Sequence, residues 1–151
     1  MIRQENIALA HDQLSAKEAM EAVGQLLLNN QSIHPQYIQN MLHSYDQLGP
    51  YFVIAPGIAI AHAQPDESVI KHDLALLVSK KEVYFNSHND PVHLIFGLCA
   101  PSAHHHMDGL VALAELLSDD TIITQIKEAK DTTTIYQLIQ LNHQGEKYER
   151  T

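Results

Sequence analysis

The first fifty residues alternate between a short apolar run and two longer stretches whose apolar residues have helical spacing. The run Ile7–Ala10 predicts a strand. A Ser-x-x-Glu capping box at Ser15 opens a helix whose apolar residues recur every three or four positions until the asparagine pair at 29–30. Pro35 favours the first turn of a second helix, which Gly49 and the proline after it end.

The middle of the chain changes to short apolar runs between turn residues. Residues 51–54 and 58–61 are two such runs, and the Pro-Gly between them predicts a turn. Residues 74–78 and 92–98 are apolar throughout rather than alternating, which predicts two strands that are buried on both faces. Residues 82–85 are predicted to form a short edge strand before a polar turn.

Helical spacing returns in the last third of the chain. Apolar residues over 110–117 predict one helix, and an Asp-Asp pair caps a further turn. A last helix is predicted from Ile135 to about Leu141, and the polar tail 144–151 is expected to be frayed. Helices, then strands, then helices are typical of an α/β protein. We therefore predict one compact domain over 1–151, with a central mixed β-sheet covered by helices.

Composition and charge disfavour several classes of protein. The 151 residues are 45% hydrophobic, which supports one domain with a core. Nine Lys and Arg against 18 Asp and Glu give a formal net charge of -9, which disfavours nucleic-acid partners and anionic membrane surfaces. No apolar run approaches the roughly 20 residues of a membrane-spanning helix, and the N-terminus lacks a signal-peptide pattern. A single cysteine, Cys99, fits a reducing compartment, so we expect a soluble, cytoplasmic protein.

Eleven histidines stand out in a chain with nine Lys and Arg, because histidine acts as a nucleophile, base or metal ligand near neutral pH. His93 lies inside the most apolar predicted strand, where a neutral, hydrogen-bonded core histidine is expected because a charged imidazole is costly to bury. Six histidines fall on predicted helix surfaces, in turns or in the tail and are expected to be solvated: His11, His34, His43, His72, His88 and His143.

His62 differs from these because it directly follows the apolar run 58–61 and precedes a Gln-Pro that ends the strand. A side chain at the tip of a strand is held by a rigid element and still faces solvent. The small residues Ala61 and Ala63 leave room for a bulky group or a partner surface. His62 is therefore a candidate functional residue, and a purely structural histidine is the alternative.

Three consecutive histidines, His104, His105 and His106, lie at the predicted start of the helix over 110–117. A helix N-terminus offers free backbone N–H groups to an anion such as phosphate, and a histidine there can donate to the same anion. The competing interpretation is a metal site. Consecutive helical residues point in different directions, however, and the sequence contains no His-x-x-x-His or Cys-x-x-Cys spacing, so no metal is predicted.

Other catalytic signatures are missing from the sequence. It contains no P-loop, no Rossmann glycine motif and no Gly-x-Ser-x-Gly elbow, so no nucleotide or other cofactor is predicted. Cys99 lies in an apolar strand and is expected to be an inert core thiol. Any chemistry therefore depends on histidine.

The segment that leads into His62 reads Gly-Pro-Tyr-Phe-Val-Ile-Ala-Pro-Gly-Ile-Ala-Ile-Ala-His over 49–62. It resembles the active-site segment of enzyme IIA proteins of the bacterial phosphotransferase system, in the mannitol/fructose superfamily and specifically its ascorbate-type branch. Two further elements are similar: Asn-Asp-Pro-Val at 89–92 before an apolar strand, and the His-led helix that ends Leu-Ala-Glu-Leu-Leu-Ser-Asp at 113–119. The resemblance covers residues 9–141.

This resemblance implies a phosphoryl carrier. Members of the family accept a phosphoryl group on a histidine from the phosphocarrier protein HPr and pass it to a cysteine of the cognate enzyme IIB, and the membrane enzyme IIC takes up the sugar. By position, His62 is the phosphorylated residue, and His106 aligns best with the supporting histidine, with His105 the close alternative. Such a relay needs neither metal nor nucleotide, and an ascorbate-like or pentitol substrate is expected.

Three departures from the family pattern leave the expected phosphate pocket poor in positive charge. Alanines flank His62 where the family usually has Pro-His-Gly, Gln64 replaces an arginine that is common in the ascorbate branch, and Ser44 falls opposite an arginine of the mannitol-type helix. A regulatory or degenerate module that binds partners according to phosphorylation state is therefore the alternative function. A metal-binding protein that uses the triple histidine is the third hypothesis.

Overall fold

The computed structural model describes the backbone of residues 2–149 and the side chains of residues 2–142. Within this part of the chain, a short 3₁₀ turn (Gln4–Asn6) precedes an ordered series of strands and α-helices. Their bounds are β1 (Ile7–Ala10), α1 (Ala16–Asn29), α2 (Pro35–Leu48), β2 (Val53–Ala55), β3 (Ile58–Ala61), β4 (Asp73–Val83), β5 (Val92–Cys99), α3 (Ala103–Leu117), α4 (Asp120–Glu128) and α5 (Thr132–Glu149).

The five strands form one mixed sheet in the order β1-β4-β5-β3-β2. The pairs β1–β4 and β3–β5 are parallel, whereas β4–β5 and β2–β3 are antiparallel. The predicted fold class, an α/β protein with a central mixed sheet, is confirmed.

Helices cover both faces of the sheet, so the central strands are apolar throughout. On one face α1 and α2 pack Val23 and Met41 against a cluster that contains Leu77 of β4. On the other face α3, α4 and α5 pack against a second cluster, which contains Leu76 and Val78 of the same strand. Alternate residues of β4 therefore enter opposite cores, which confirms the prediction of strands buried on both faces.

The helix boundaries follow local chemistry that the sequence already contains. Ser15 and Glu18 form the predicted reciprocal capping box at the start of α1. Pro35 occupies the first turn of α2, and Gly49 ends that helix with a φ of 76°, a conformation that favours glycine. Asp119 caps α4 by accepting a hydrogen bond from the backbone N–H of Ile122.

Two of the predicted strands have different bounds. The run 51–54 gives the shorter β2, which begins at Val53, because the preceding residues form a turn in which the Val53 N–H donates to the Pro50 carbonyl. The predicted edge strand at 82–85 is wrong. Its first two residues are the end of β4, which lies between β1 and β5, and the N–H of Phe85 donates to the carboxylate of Asp90 rather than to a neighbouring strand.

The last helix is longer than predicted. It begins at Thr132 rather than at Ile135, because Asp131 accepts a hydrogen bond from the Thr134 N–H and so caps an earlier turn. Its backbone continues to Glu149 rather than ending near residue 141. The side chains of the expected frayed tail, 144–151, lie outside the described residues. Among the residues that the structure describes, no helix combines the length and hydropathy needed to cross a membrane.

Candidate active site

The candidate site lies where β3 ends, and His62 is the first residue beyond that strand. Ala61 and Ala63 on either side of it are buried. The phenol of Tyr37, on α2, accepts a hydrogen bond from the Ala63 N–H at 2.9 Å and donates one to the Leu98 carbonyl of β5 at 2.7 Å. These bonds fix the backbone beside His62 to two other elements of the fold.

The ring of His62 is held in one tautomer by the backbone. Its Nδ1 lies 2.7 Å from the carbonyl oxygen of Ile60. A carbonyl oxygen accepts hydrogen bonds and does not donate them, so Nδ1 carries the proton and Nε2 keeps its lone pair. Burial lowers the pKa of His62 below its ordinary value, and the hydrogen bond to Ile60 opposes that shift. The ring is therefore neutral at pH 7, and the lone pair of Nε2 is the one available for a bond.

Two aromatic residues from the turn before β2 pack edge-on against the His62 ring. The ring centroid of Tyr51 lies 5.5 Å from it, and that of the buried Phe52 lies 6.5 Å from it. The Tyr51 phenol donates to the His62 carbonyl at 3.3 Å. Burial raises the pKa of Tyr51, and a hydrogen bond with Ser44 of α2 opposes the shift. The aromatic rings restrict both the rotation of the imidazole and the access of water to it.

His106 reaches the same site from the first turns of α3. Its ring centroid lies 5.0 Å from that of His62. Ser102 is the N-cap of this helix, and its carbonyl accepts the His106 N–H at 3.0 Å. The Nδ1 atom of His106 is buried and has no hydrogen-bond partner among the described residues. Burial is the largest cause of a lowered pKa at His106, and the neighbouring His62 and His72 lower this pKa further.

The other two histidines of the triplet point elsewhere. The Nδ1 of His105 is hydrogen-bonded at 2.8 Å to the hydroxyl of Ser102, and its ring lies beside His72, at 6.3 Å between centroids. The Nε2 of His104 lies 3.6 Å from a carboxylate oxygen of Asp108. The structure therefore brings His62 and His106 together and directs His105 to a different side of α3.

The remaining histidines and the cysteine occupy the surroundings that the sequence predicts. Five of the six histidines expected to be solvated are exposed, and His143 lies outside the described side chains. His93 is half-buried, with Nδ1 2.9 Å from the Ser79 carbonyl. Burial raises the pKa of Cys99 to about 12, so its thiol stays protonated, as expected of an inert core cysteine. Within the described residues no group of three or more histidine, cysteine or acidic side chains is placed to hold a metal ion.

Sequence reasoning missed the contributions of Tyr37 and Tyr51. Tyr37 lies on the apolar face of α2, where its position in the sequence does not distinguish it from an ordinary core residue. The apolar run 51–54 favours a strand at Tyr51, whereas this residue lies in the turn that brings its ring against His62. The proline directly before Tyr51 was the available signal for this turn.

Solved structures with the same fold place the molecule among the enzyme IIA components of phosphotransferase systems. The mannitol-specific cryptic phosphotransferase enzyme IIA of Escherichia coli matches with a TM-score of 0.83 and 30% identity, over 91% of this chain and 94% of that one. The enzyme IIA of E. coli solved in complex with phosphorylated enzyme IIB, both of the mannitol system, has the same fold at a TM-score of 0.80 and 22% identity, over 92% and 96% of the two chains.

The sequence comparisons identify the family. The family model described as "Phosphoenolpyruvate-dependent sugar phosphotransferase system, EIIA 2" matches residues 1–142. The ascorbate-specific EIIA component of E. coli K12 is 30% identical over 92% of each chain, and the mannitol-specific cryptic enzyme IIA component of the same strain is 31% identical over 90% of this chain and 92% of that one. The chain belongs to this EIIA 2 family, and the predicted resemblance to it is confirmed.

Proposed function

We propose that this EIIA component is a cytoplasmic phosphocarrier that accepts a phosphoryl group from HPr on Nε2 of His62 and passes it to a cysteine of a cognate enzyme IIB. The enzyme IIB would then serve a membrane enzyme IIC during uptake of an ascorbate-like or pentitol substrate. The observation that carries the proposal is the fixed tautomer of His62, whose free Nε2 lies in a half-buried site beside His106. The family membership supports the reaction and its partners.

The bonds formed and broken in the proposed phosphoryl transfer balance without a metal or a nucleotide. The lone pair on Nε2 of His62 forms a bond to phosphorus as the bond between phosphorus and the donor's histidine nitrogen breaks, and the donor imidazole leaves with that electron pair. The His62 ring, with a proton on Nδ1 and phosphorus on Nε2, becomes positively charged. The Ile60 carbonyl at 2.7 Å stabilises this charge. In the next step the enzyme IIB thiolate attacks phosphorus, and His62 leaves as a neutral imidazole.

His106 and the beginning of α3 are the groups proposed to steady the phosphoryl oxygens. Free backbone N–H groups at a helix N-terminus favour an anion, and a nearby imidazole adds a donor once it is protonated. In the unphosphorylated protein the pKa of His106 is lowered, so the ring is neutral beside neutral His62. A phosphoryl group with about two negative charges would raise that pKa and draw a proton onto His106.

A second candidate function, a regulatory module without onward transfer, is favoured by one observation. Ser44 of α2 is hydrogen-bonded to Tyr51, whose ring contacts His62, so a neutral side chain stands near the site where the mannitol-type helix carries an arginine. A site with less fixed charge can accept phosphate and still transfer it poorly. The discriminating observation is transfer onward to an enzyme IIB.

The experiment that tests the proposal is the intact mass of the protein after incubation with phosphoenolpyruvate, enzyme I and HPr. His62→Ala is run beside it, with His88→Ala as a matched control, because His88 is an exposed histidine of a turn. We expect one acid-labile phosphoryl group on the wild type and on His88→Ala, and none on His62→Ala. A phosphoryl group on His62→Ala would refute the assignment. Subsequent loss of the label to an enzyme IIB separates the carrier from the regulatory module.

A further inference from the structure

The peptide group between His62 and Ala63 is hydrogen-bonded by a tyrosine on each side. The His62 carbonyl accepts a hydrogen bond from the Tyr51 phenol at 3.3 Å, and the Ala63 N–H donates one to the Tyr37 phenol at 2.9 Å. The C=O and N–H of a trans peptide point in opposite directions, so the two tyrosines hold opposite edges of one plane. They therefore resist rotation of the backbone directly after the candidate nucleophile, where β3 has already ended.

The two tyrosines lie in different surroundings. Tyr37 is fully buried, and its hydroxyl also donates to the Leu98 carbonyl, so core packing accounts for its position. Tyr51 is 43% exposed and gains less from burial. Its ring nevertheless lies edge-on to the His62 imidazole, with 5.5 Å between the ring centroids and 81° between the ring planes. The hydroxyl and the ring of Tyr51 thus both contact His62.

The turn that carries Tyr51 is bonded to the same residue of β3 that orients the His62 ring. Tyr51 and Phe52 are the central residues of the turn 50–53. The Phe52 carbonyl accepts the Ile60 N–H at 2.9 Å, and the Ile60 carbonyl lies 2.7 Å from Nδ1 of His62. Hydrogen bonds therefore connect the turn to Ile60 and Ile60 to the imidazole, and the contacts of Tyr51 with His62 close this frame.

The Tyr51 hydroxyl is placed to orient His62 rather than to donate to a phosphoryl group. Burial raises the pKa of Tyr51, so its hydroxyl stays protonated at neutral pH. A phenol has one proton to donate, and the His62 carbonyl accepts it.

We propose that Tyr51 is a positioning residue for the phosphoryl transfer, which acts through His62 by holding its backbone and its ring so that Nε2 faces the phosphorus of the donor. The inference rests on the proposed function and deepens it. Transfer in line needs the lone pair of the nucleophile aligned with the bond that breaks, and a misplacement of about 1 Å can lower the rate about 10²-fold. The adjacent Ala61 and Ala63 carry only methyl side chains, so the turn before β2 supplies this support instead.

Positioning and docking have different kinetic signatures. In the proposed role Tyr51 forms no bond to phosphorus and moves no proton, so its loss slows the transfer step and leaves the binding of HPr nearly unchanged. A residue that only contacts the partner changes the donor concentration needed for half the maximal rate. Single-turnover transfer from phosphorylated HPr, measured by rapid quench over a series of donor concentrations, gives both quantities.

The test compares wild type, Tyr51→Phe and Tyr51→Leu, with Tyr84→Leu as the matched control because Tyr84 is an exposed tyrosine just after β4. We expect Tyr51→Leu to lower the maximal rate about 10- to 100-fold and to change the half-saturating HPr concentration by less than about threefold. Tyr51→Phe keeps the ring and loses the hydroxyl, so it should lower the maximal rate about three- to tenfold. Tyr84→Leu should match the wild type in both quantities.

A second measurement follows the imidazole in the unphosphorylated protein. By NMR, the proton on Nδ1 of His62 should be observed in wild type, Tyr51→Phe and Tyr84→Leu, because the Ile60 carbonyl holds it. In Tyr51→Leu the ring loses its support, so the signal should be lost to exchange with water.

The wild-type maximal rate in Tyr51→Leu would overturn the inference, and a raised half-saturating concentration beside it would assign Tyr51 to docking. A lower maximal rate with the His62 proton still observed in Tyr51→Leu would place the effect outside the imidazole and overturn it too. If Tyr51→Leu does not fold, the wild-type maximal rate in Tyr51→Phe overturns the inference. Failure of the wild type to accept phosphate from HPr refutes the proposed function and the inference together, whereas normal transfer by wild type and both Tyr51 variants refutes the inference alone.

Discussion

Two histidines of the same sheet illustrate what makes one of them a candidate nucleophile. His62 and His93 both adjoin or belong to parallel strands, both are half-buried, and both direct Nδ1 at a backbone carbonyl, at 2.7 Å and 2.9 Å respectively. A fixed tautomer with a free Nε2 is therefore common to the two. Hydrogen bonding of the ring alone does not distinguish a functional histidine from a structural one.

Their positions along the strands make the difference. His62 lies at the carboxyl end of β3, the edge at which β5 also ends and from which the chain continues into α3 and His106. His93 lies at the amino end of β5, beside a cleft of about 330 Å³ lined in part by Pro91 and Lys127. The chain enters α3 from the carboxyl end of β5, so of these two histidines only His62 has a second imidazole, that of His106, beside it.

The largest expected difference between the two histidines is in phosphoryl uptake. His62→Gln should abolish phosphoryl uptake, because no other imidazole in the site has a free nitrogen at this position. His93→Gln should leave phosphoryl uptake within about twofold of the wild type, since it alters a hydrogen bond at the opposite end of the strands. The measurement is the phosphorylated fraction by intact mass after incubation with the donor proteins. Loss of uptake in His93→Gln, with normal uptake in His62→Gln, would show that His93 is the functional histidine of the two.

Within the triplet, we expect His106 to affect the rate of phosphoryl transfer strongly and His105 to affect it little. His106→Gln should slow transfer from phosphorylated HPr by about 10²- to 10³-fold, the usual effect of removing one donor to a developing anion. His105→Gln should change the rate by about threefold at most, because its ring lies toward His72. Rapid-quench kinetics measure both rates. The opposite ranking of the two variants would assign the supporting role to His105.

Tyr37 is expected to stabilise the end of the sheet that carries His62. Tyr37→Phe leaves the Ala63 N–H and the Leu98 carbonyl without this buried partner, which should lower the free energy of unfolding by about 1–3 kcal/mol. The exposed Tyr84, hydrogen-bonded to the Glu82 side chain, offers a control in Tyr84→Phe, which should change stability by less than about 0.5 kcal/mol. Urea denaturation measures both values, and equal effects would show that Tyr37 has no special role.

The smallest expected effect is on the pH dependence of stability. The pKa of His62 is lowered by burial, so the unfolded chain binds a proton at this residue more readily than the folded protein does. Its contribution to stability is therefore complete above the unfolded pKa of about 6.5 and is lost as the pH falls below it. In His62→Gln, the free energy of unfolding should decline less steeply between about pH 7 and pH 5 than in the wild type. A slope identical to that of the wild type would show that the ring is not desolvated.

Much of this architecture was predictable because it depends on local sequence. The capping box at Ser15, the glycine stop at Gly49 and the apolar runs of β3 and β5 each specify an element without help from the rest of the chain. The position of His62 at a strand tip followed from the same signals. The prediction of an edge strand is wrong because β4 ends in polar residues after an irregularity between Val78 and Val83. In the sequence, this change from apolar to polar residues resembles the end of a strand.

The finer features of the site depend on tertiary packing and were not predictable. Consecutive helical residues are separated by about 100°, so the choice between His105 and His106 depends on how α3 is rotated against the sheet. The contact of His62 with the Ile60 carbonyl depends on a side-chain rotamer that the surrounding aromatic rings select. His72 is exposed, as predicted, but only the packing of α3 on the segment before β4 reveals its neighbours.

The most direct test of the central claim is to identify the nitrogen that carries the phosphoryl group. The protein, labelled with ¹⁵N in its histidines, would be observed by NMR while phosphoenolpyruvate, enzyme I and HPr keep it phosphorylated. We expect a single phosphorylated ring, that of His62, with phosphorus on Nε2 and the proton retained on Nδ1. Phosphorus on Nδ1 of His62, or on any other histidine, would contradict this expectation.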